Sequence, residues 1–232
     1  METHIQVHDP NNNLKPTNLA GPARLGWNGR LDLTYLFSKH LGLTCTFVTS
    51  VNEAAAPDSM ELFLPPDYIP PMGWGSTSLS YEYSTKKWYT NSFILGPVVF
   101  FSYKSFSLTL HAAGGLQQVK CPETLLVEKG YRWIMFQPNE PYTLITDQPR
   151  LVSYNFVFDG GVYFSVFLTK RFGILLSLDY LASAASFKGQ SGYTFDIDDG
   201  INLTHMVGIE SVKFDKNISL FLFNAGVSYR IK

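Results

Sequence analysis

The chain has 232 residues with a net charge of -1 and a pI near 6.5, and no Lys/Arg stripe of the kind nucleic-acid binding requires. Only 16% of its residues are charged while 15% are aromatic, against about 25% charged in ordinary soluble domains. No run of about 18 apolar residues occurs, which argues against a transmembrane helix but leaves open a β-barrel, whose lipid signal is dispersed over short alternating segments.

Residues 1–24 are rich in Asn, Pro, Gly and Thr and end in Asn18-Leu19-Ala20-Gly21-Pro22, the chemistry of an irregular arm. Their start, with Glu2 and His4, has neither the basic residues nor the apolar core of a signal peptide. From Leu25 the alternation of strands begins, and residues 25–232 are predicted to form one domain. Leu25, Trp27, Leu31, Leu33, Tyr35 and Phe37 oppose Gly26, Asn28, Arg30, Asp32 and Thr34. After Ser38-Lys39-His40 the pattern resumes through Leu41, Leu43, Cys45, Phe47 and Val51.

Residues 52–87 carry four prolines between Pro65 and Pro71 and are predicted to be a long connection with a short strand near Leu79 to Tyr83. A second hairpin runs from Tyr89 to Phe101, turns at Tyr103-Lys104-Ser105, and returns from Phe106 to Gln117. Pro97 removes a ladder donor, so a bulge is expected there. Residues 118–150 form another predicted connection. The strongest hairpin follows, with Tyr154, Phe156, Phe158, Val162 and Phe164 on one face, a reversal at Thr169-Lys170-Arg171, and Ile174, Leu176, Leu178 and Tyr180 beyond it. Residues 184–217 are a third predicted connection, with a strand extension from Thr204 to Phe214. A last strand runs from Ser219 to Ile231. Cys45 and Cys121 have no metal-ligand spacing near them.

The polar faces of these seven strands contain no Lys and no Glu, only small polar residues with a few Arg, Asp and His. A soluble barrel covers its outside with long hydrated side chains, whereas small polar residues with pairable charges suit a narrow interior. The apolar face is then expected to point outward, into lipid. Phe37, Phe47, Phe101, Phe156, Phe164, Tyr180, Phe223 and Tyr229 are the predicted lipid-facing residues. Arg30, Asp32, His111, Asp159, Asp179 and Arg230 are predicted to form a polar network in the lumen.

Hairpin rhythm, the Gly-containing strand Phe93-Ile94-Leu95-Gly96-Pro97 and the closing Asn224-Ala225-Gly226-Val227-Ser228-Tyr229-Arg230-Ile231 resemble the small eight-stranded outer-membrane β-barrels of Gram-negative bacteria, of the OmpA, OmpW and OmpX type. Ile231 and Lys232 stand where a terminal aromatic is usual. The resemblance implies an antiparallel up-and-down transmembrane barrel of about eight strands, with short periplasmic turns and long extracellular loops. It implies an outer-membrane location, contact with lipid and lipopolysaccharide, insertion by the outer-membrane assembly machinery, and a protein or glycan partner at the outer loops. A signal peptide and a first strand are then expected to be missing before Met1. The competing count takes Thr204 to Phe214 as a separate strand turning at Asp215-Lys216-Asn217.

No cofactor or resident metal is expected, and the chain is read as a structural or binding module. A narrow solute channel and a soluble lipocalin-like barrel are the alternatives. Ser107 and His111 share a strand face, but no nucleophile motif surrounds either. Asp196-Ile197-Asp198-Asp199-Gly200 departs from a calcium loop at its glycine and at its twelfth position, Val207. Trp74, Tyr131, Trp133, Phe136 and Tyr142 are expected either to pack the connections together or to form a recognition surface.

Overall fold

The computed structural model describes residues 23–55, 74–134, 140–198 and 203–231. The former part of the predicted arm, together with Phe136, Asp199 and Gly200, lies outside the described residues. Alternating sequence makes strands throughout: β1 (Ala23–Leu36), β2 (Leu41–Ala54), β3 (Trp74–Thr85), β4 (Lys87–Tyr103), β5 (Phe106–Lys120), β6 (Thr124–Ile134), β7 (Glu140–Gln148), β8 (Val152–Phe167), β9 (Phe172–Asp198) and β10 (Leu203–Tyr229). All pair antiparallel in one sheet.

Where they are described, the three predicted connections are largely strand; residues 56–73, with the four prolines, lie outside the described residues. Lys86 alone separates β3 from β4, Cys121 to Glu123 separate β5 from β6, and Pro149 to Leu151 separate β7 from β8. Each short strand therefore continues a longer one. β9 and β10, at 27 residues each, run the whole height without a break. A basal sheet in the order β1-β2-β4-β5-β8-β9-β10 thus carries an extension in the order β3-β6-β7-β9-β10. Counting the two halves of β9 and β10 separately gives about twelve strand segments, not the eight strands expected. The extra strand at Leu79 to Tyr83 is the longer β3. Thr204 to Phe214 is the upper half of β10, and no turn interrupts it at Asp215-Lys216-Asn217, because pairing with β9 is continuous from Leu203 to Tyr229.

The basal sheet curls: Arg30 on β1 reaches Asp159 on β8 and Asp179 on β9, although β2, β4 and β5 intervene in strand order. It does not close. β1 and β10 form no ladder with each other, so the closed barrel is corrected to a curled sheet with a seam. The physical reason lies in strand parity. Six antiparallel steps leave β1 and β10 running the same way, so joining them directly would need a parallel pair in an otherwise antiparallel sheet. Outer-face side chains are exposed at the seam, as at Phe221 and Leu33, and on interior strands alike, as at Leu116 and Phe158.

The expected bulge at Pro97 is absent. Pairing of β4 with β5 passes from Leu95↔Gly114 to Val98↔His111 in unchanged register, skipping Gly96 and Pro97. A Cβ at Gly96 would lie 2.4 Å from the Ala112 carbonyl oxygen, so this glycine allows a close approach that takes the place of the missing bond.

Burial is inverted relative to a soluble domain. Along β2 the buried residues are Gly42, Thr44, Thr46, Val48, Ser50 and Asn52, while Leu41, Leu43 and Phe47 are exposed. Two apolar layers cross the interior. One, at the junction with the extension, joins Trp88, Val119, Cys121, Leu151, Phe187 and Val212. The next joins Val48, Ile94, Val157, Leu181 and Leu222.

Candidate functional site

Beyond the second apolar layer, toward the tight turns, lies a cluster of buried charges. Inward positions on β1 supply Arg30 and Asp32, β5 supplies His111, β8 supplies Asp159 and Tyr163, and β9 supplies Ser177 and Asp179. The two-residue period places each on the inner face without special local structure. Arg30 Nε donates to both oxygens of Asp32 at 3.0 Å, and Nη2 donates to Asp159 Oδ2 at 3.2 Å and to the Tyr163 hydroxyl oxygen. Arg30 Nη1 is 3.2 Å from Asp179 Oδ2. One guanidinium thus engages three carboxylates, a role its planar fork suits and a lysine could not fill.

His111 Nε2 lies 3.1 Å from Asp159 Oδ2 and 3.4 Å from Asp179 Oδ1, and its ring stacks on Tyr163 with centroids 4.7 Å apart. Tyr163 donates its hydroxyl proton to Asp32 Oδ1 at 3.2 Å, Thr46 donates to the same oxygen at 2.5 Å, and Ser177 donates to Asp179 Oδ2 at 2.8 Å. The side chains of His111, Asp159 and Asp179 are fully buried. Charges withdrawn from water to this degree persist only when paired and hydrogen-bonded.

Gly161 makes room for this arrangement. A Cβ there would fall 2.2 Å from Asp179 Oδ1 and 2.8 Å from His111 Cε1. Gly161→Ala is expected to destabilise the fold by about 1–3 kcal/mol, the usual range for overpacking, as a lowered denaturant midpoint at unchanged slope.

Five of the six residues expected in the network are together; Arg230 is not. Its guanidinium lies over the Phe167 ring at 4.1 Å, and its backbone N–H donates to the Arg171 carbonyl, at the tight-turn end. It sits beyond the last polar layer because the final strand runs past the depth of Asp179, which pairs with Leu222. Tyr163, Thr46 and Ser177 were missed, although Tyr163 shares parity with Asp159 on β8 and Ser177 with Asp179 on β9; β2, which carries Thr46, had no predicted network residue. An aromatic on a polar face was the available signal. Phe37, Phe47, Phe101, Phe156, Phe164, Tyr180, Phe223 and Tyr229 are all exposed on the outer face.

His111 faces the two aspartates, and Ser107 has no hydrogen bond to it among the described residues. Asp196 bonds His205 Nδ1 at 2.5 Å. Trp74, Tyr131 and Trp133 fall in strands β3 and β6, and Tyr142 is buried with Leu144 against Tyr193. At the junction, Lys86 pairs with Glu123, holding that carboxyl below the usual carboxylate range. Searches against family models, curated proteins and solved structures give no match, so the geometry alone bears on what the protein does.

Proposed function

We propose that the protein is an integral outer-membrane protein of the β-barrel type, acting as a structural or binding module rather than an enzyme. The observation that supports this reading is the outer face of the basal sheet. From the tight turns to the junction it presents Phe, Leu, Val, Ile and Tyr with no Asp, Glu, Lys or Arg. Charges reappear together at one level, as Glu53, Lys87, Lys120, Lys188, Lys213 and Asp215, and at the other end in the turns, as Lys39, Lys104, Lys170 and Arg171. On β5 the apolar stretch is Phe106 to Leu116, which at a tilt of about 40° rises about 25 Å. That is the height of the apolar band on outer-membrane barrels.

The apolar layers across the interior favour a structural or binding role over a continuous pore. Binding would fall to the extension and its connecting segments, which stand beyond the charged belt and would meet lipopolysaccharide, protein or glycan. Open strand edges are not tolerated in hydrocarbon. The reading therefore entails a sealed seam in lipid: β1 amides from Ala23 to Leu36 should exchange slowly in vesicles, and rapid exchange there would refute it.

The main test is partitioning. The protein should fractionate with outer membranes and migrate differently before and after boiling in detergent. A monodisperse, detergent-free soluble species would overturn the proposal.

The two thiols give a second check. Cys45 lies on the apolar face, half-exposed between Leu43 and Phe47, whereas Cys121 is buried beyond the end of β5, and burial pushes its thiol up to about 12. In vesicles at pH 8 a charged maleimide should label neither cysteine, and in denaturant it should label both. Rapid labelling of Cys45 in vesicles would place that face in water.

A further inference from the structure

We propose that His111, Asp159 and Asp179 form a binding site for one divalent transition-metal ion of the zinc class. Nothing in this inference depends on the outer-membrane reading. The ligand atoms of these three side chains lie within 4.8 Å of one another. His111 Nε2 is 3.1 Å and 3.4 Å from the nearest oxygens of Asp159 and Asp179. Ligands held about 2.0–2.1 Å from a tetrahedral zinc are themselves about 3.3 Å apart, close to these two separations.

Two further observations point to a ligand. Arg30 approaches Oδ2 of both aspartates, while Oδ1 of Asp159 and Oδ1 of Asp179 are buried with no hydrogen-bond partner. Buried carboxylate oxygens are rarely left so, and each has lone pairs free for an ion. Beside them, Asp179 Oδ1 and His111 Cε1 occupy the space that a Cβ at Gly161 would need, so a side chain there would displace both candidate ligands.

Charge balance agrees. Asp32, Asp159 and Asp179 share the single guanidinium of Arg30, so the carboxylates outnumber the guanidinium by two in a buried cluster. A divalent cation neutralises that excess, and Arg30 and Ser177 hold Oδ2 of Asp179 as orienting partners while its Oδ1 faces His111 Nε2. An imidazole with two carboxylates is a donor set for zinc, cobalt or nickel rather than for calcium or magnesium.

The test is titration of the folded, metal-stripped full chain with Zn2+ and Co2+ by calorimetry and visible absorption. One equivalent should bind, and Co2+ should give the intense visible bands of a four-coordinate site. In the unmutated chain, Co2+ should shift the ring protons of His111. Asp179→Asn and Gly161→Ala should each weaken binding at least about 100-fold, whereas His205→Ala should leave it unchanged. Absence of binding by the folded wild-type chain would overturn the proposal, as would binding that survives Asp179→Asn and is lost in His205→Ala. If His111 instead takes up a proton and no metal binds, the proposal is also refuted. The wild-type spectra decide the matter even if the variants fail to fold.

Discussion

Arg30→Met should cost about 3–5 kcal/mol of stability, the largest loss expected from any single substitution in the basal sheet, measured as the denaturant midpoint in vesicles or detergent. Methionine fills much of the same volume, so packing is largely kept. What is lost is the only guanidinium among the described residues that serves Asp32, Asp159 and Asp179, whose carboxylates are then buried beside one another. The second-site test separates charge from shape. Asp159→Asn and Asp179→Asn, each mildly destabilising alone, should restore much of the loss when combined with Arg30→Met, giving coupling of about 1–3 kcal/mol. Simple additivity would mean that Arg30 acts by filling space.

The second large effect is expected on the outer face. Leu110→Arg, near the middle of the apolar stretch of β5, should cost about 2–4 kcal/mol for folding into a bilayer. Phe156→Arg lies closer to the charged belt, four residues along β8 from Val152, which pairs with Lys120. Its cost should be smaller, about 1–2 kcal/mol, because the penalty falls toward the interface. A gradient with depth is the signature of lipid. If both substitutions were neutral, these side chains would face water and the membrane proposal would fail.

Strand alternation was legible residue by residue. The seven basal strands, the reversals near residues 39, 104 and 170, and the side on which each Phe and each Asp falls all follow from a period of two. The same rule places Tyr163 on the face of Asp159, although the sequence reading named it on neither face. The predicted connections went wrong for a different reason. Around Lys86, Cys121 to Glu123 and Pro149 to Leu151 the alternation breaks for a residue or a few, and prolines and glycines nearby imitate loop chemistry. A break that ends a strand and a break at which a strand changes partner look alike in sequence. Only pairing distinguishes them: β7 reaches the upper half of β9, while β8 lies along its lower half.

By itself, then, the sequence determined the all-β class, the antiparallel hairpins and the inverted distribution of polar and apolar faces, because those properties are local and repeat with the backbone. Which charges meet was decided by tertiary structure. Arg30 and Asp179 are far apart in the chain and are joined only because the sheet curls, a long-range consequence of strand order and twist. The exclusion of Arg230 from the cluster depends on the depth at which the last strand ends. The seam likewise depends on the parity of the whole strand order, since whether two edges can pair is a relation between the first strand and the last and belongs to neither of them.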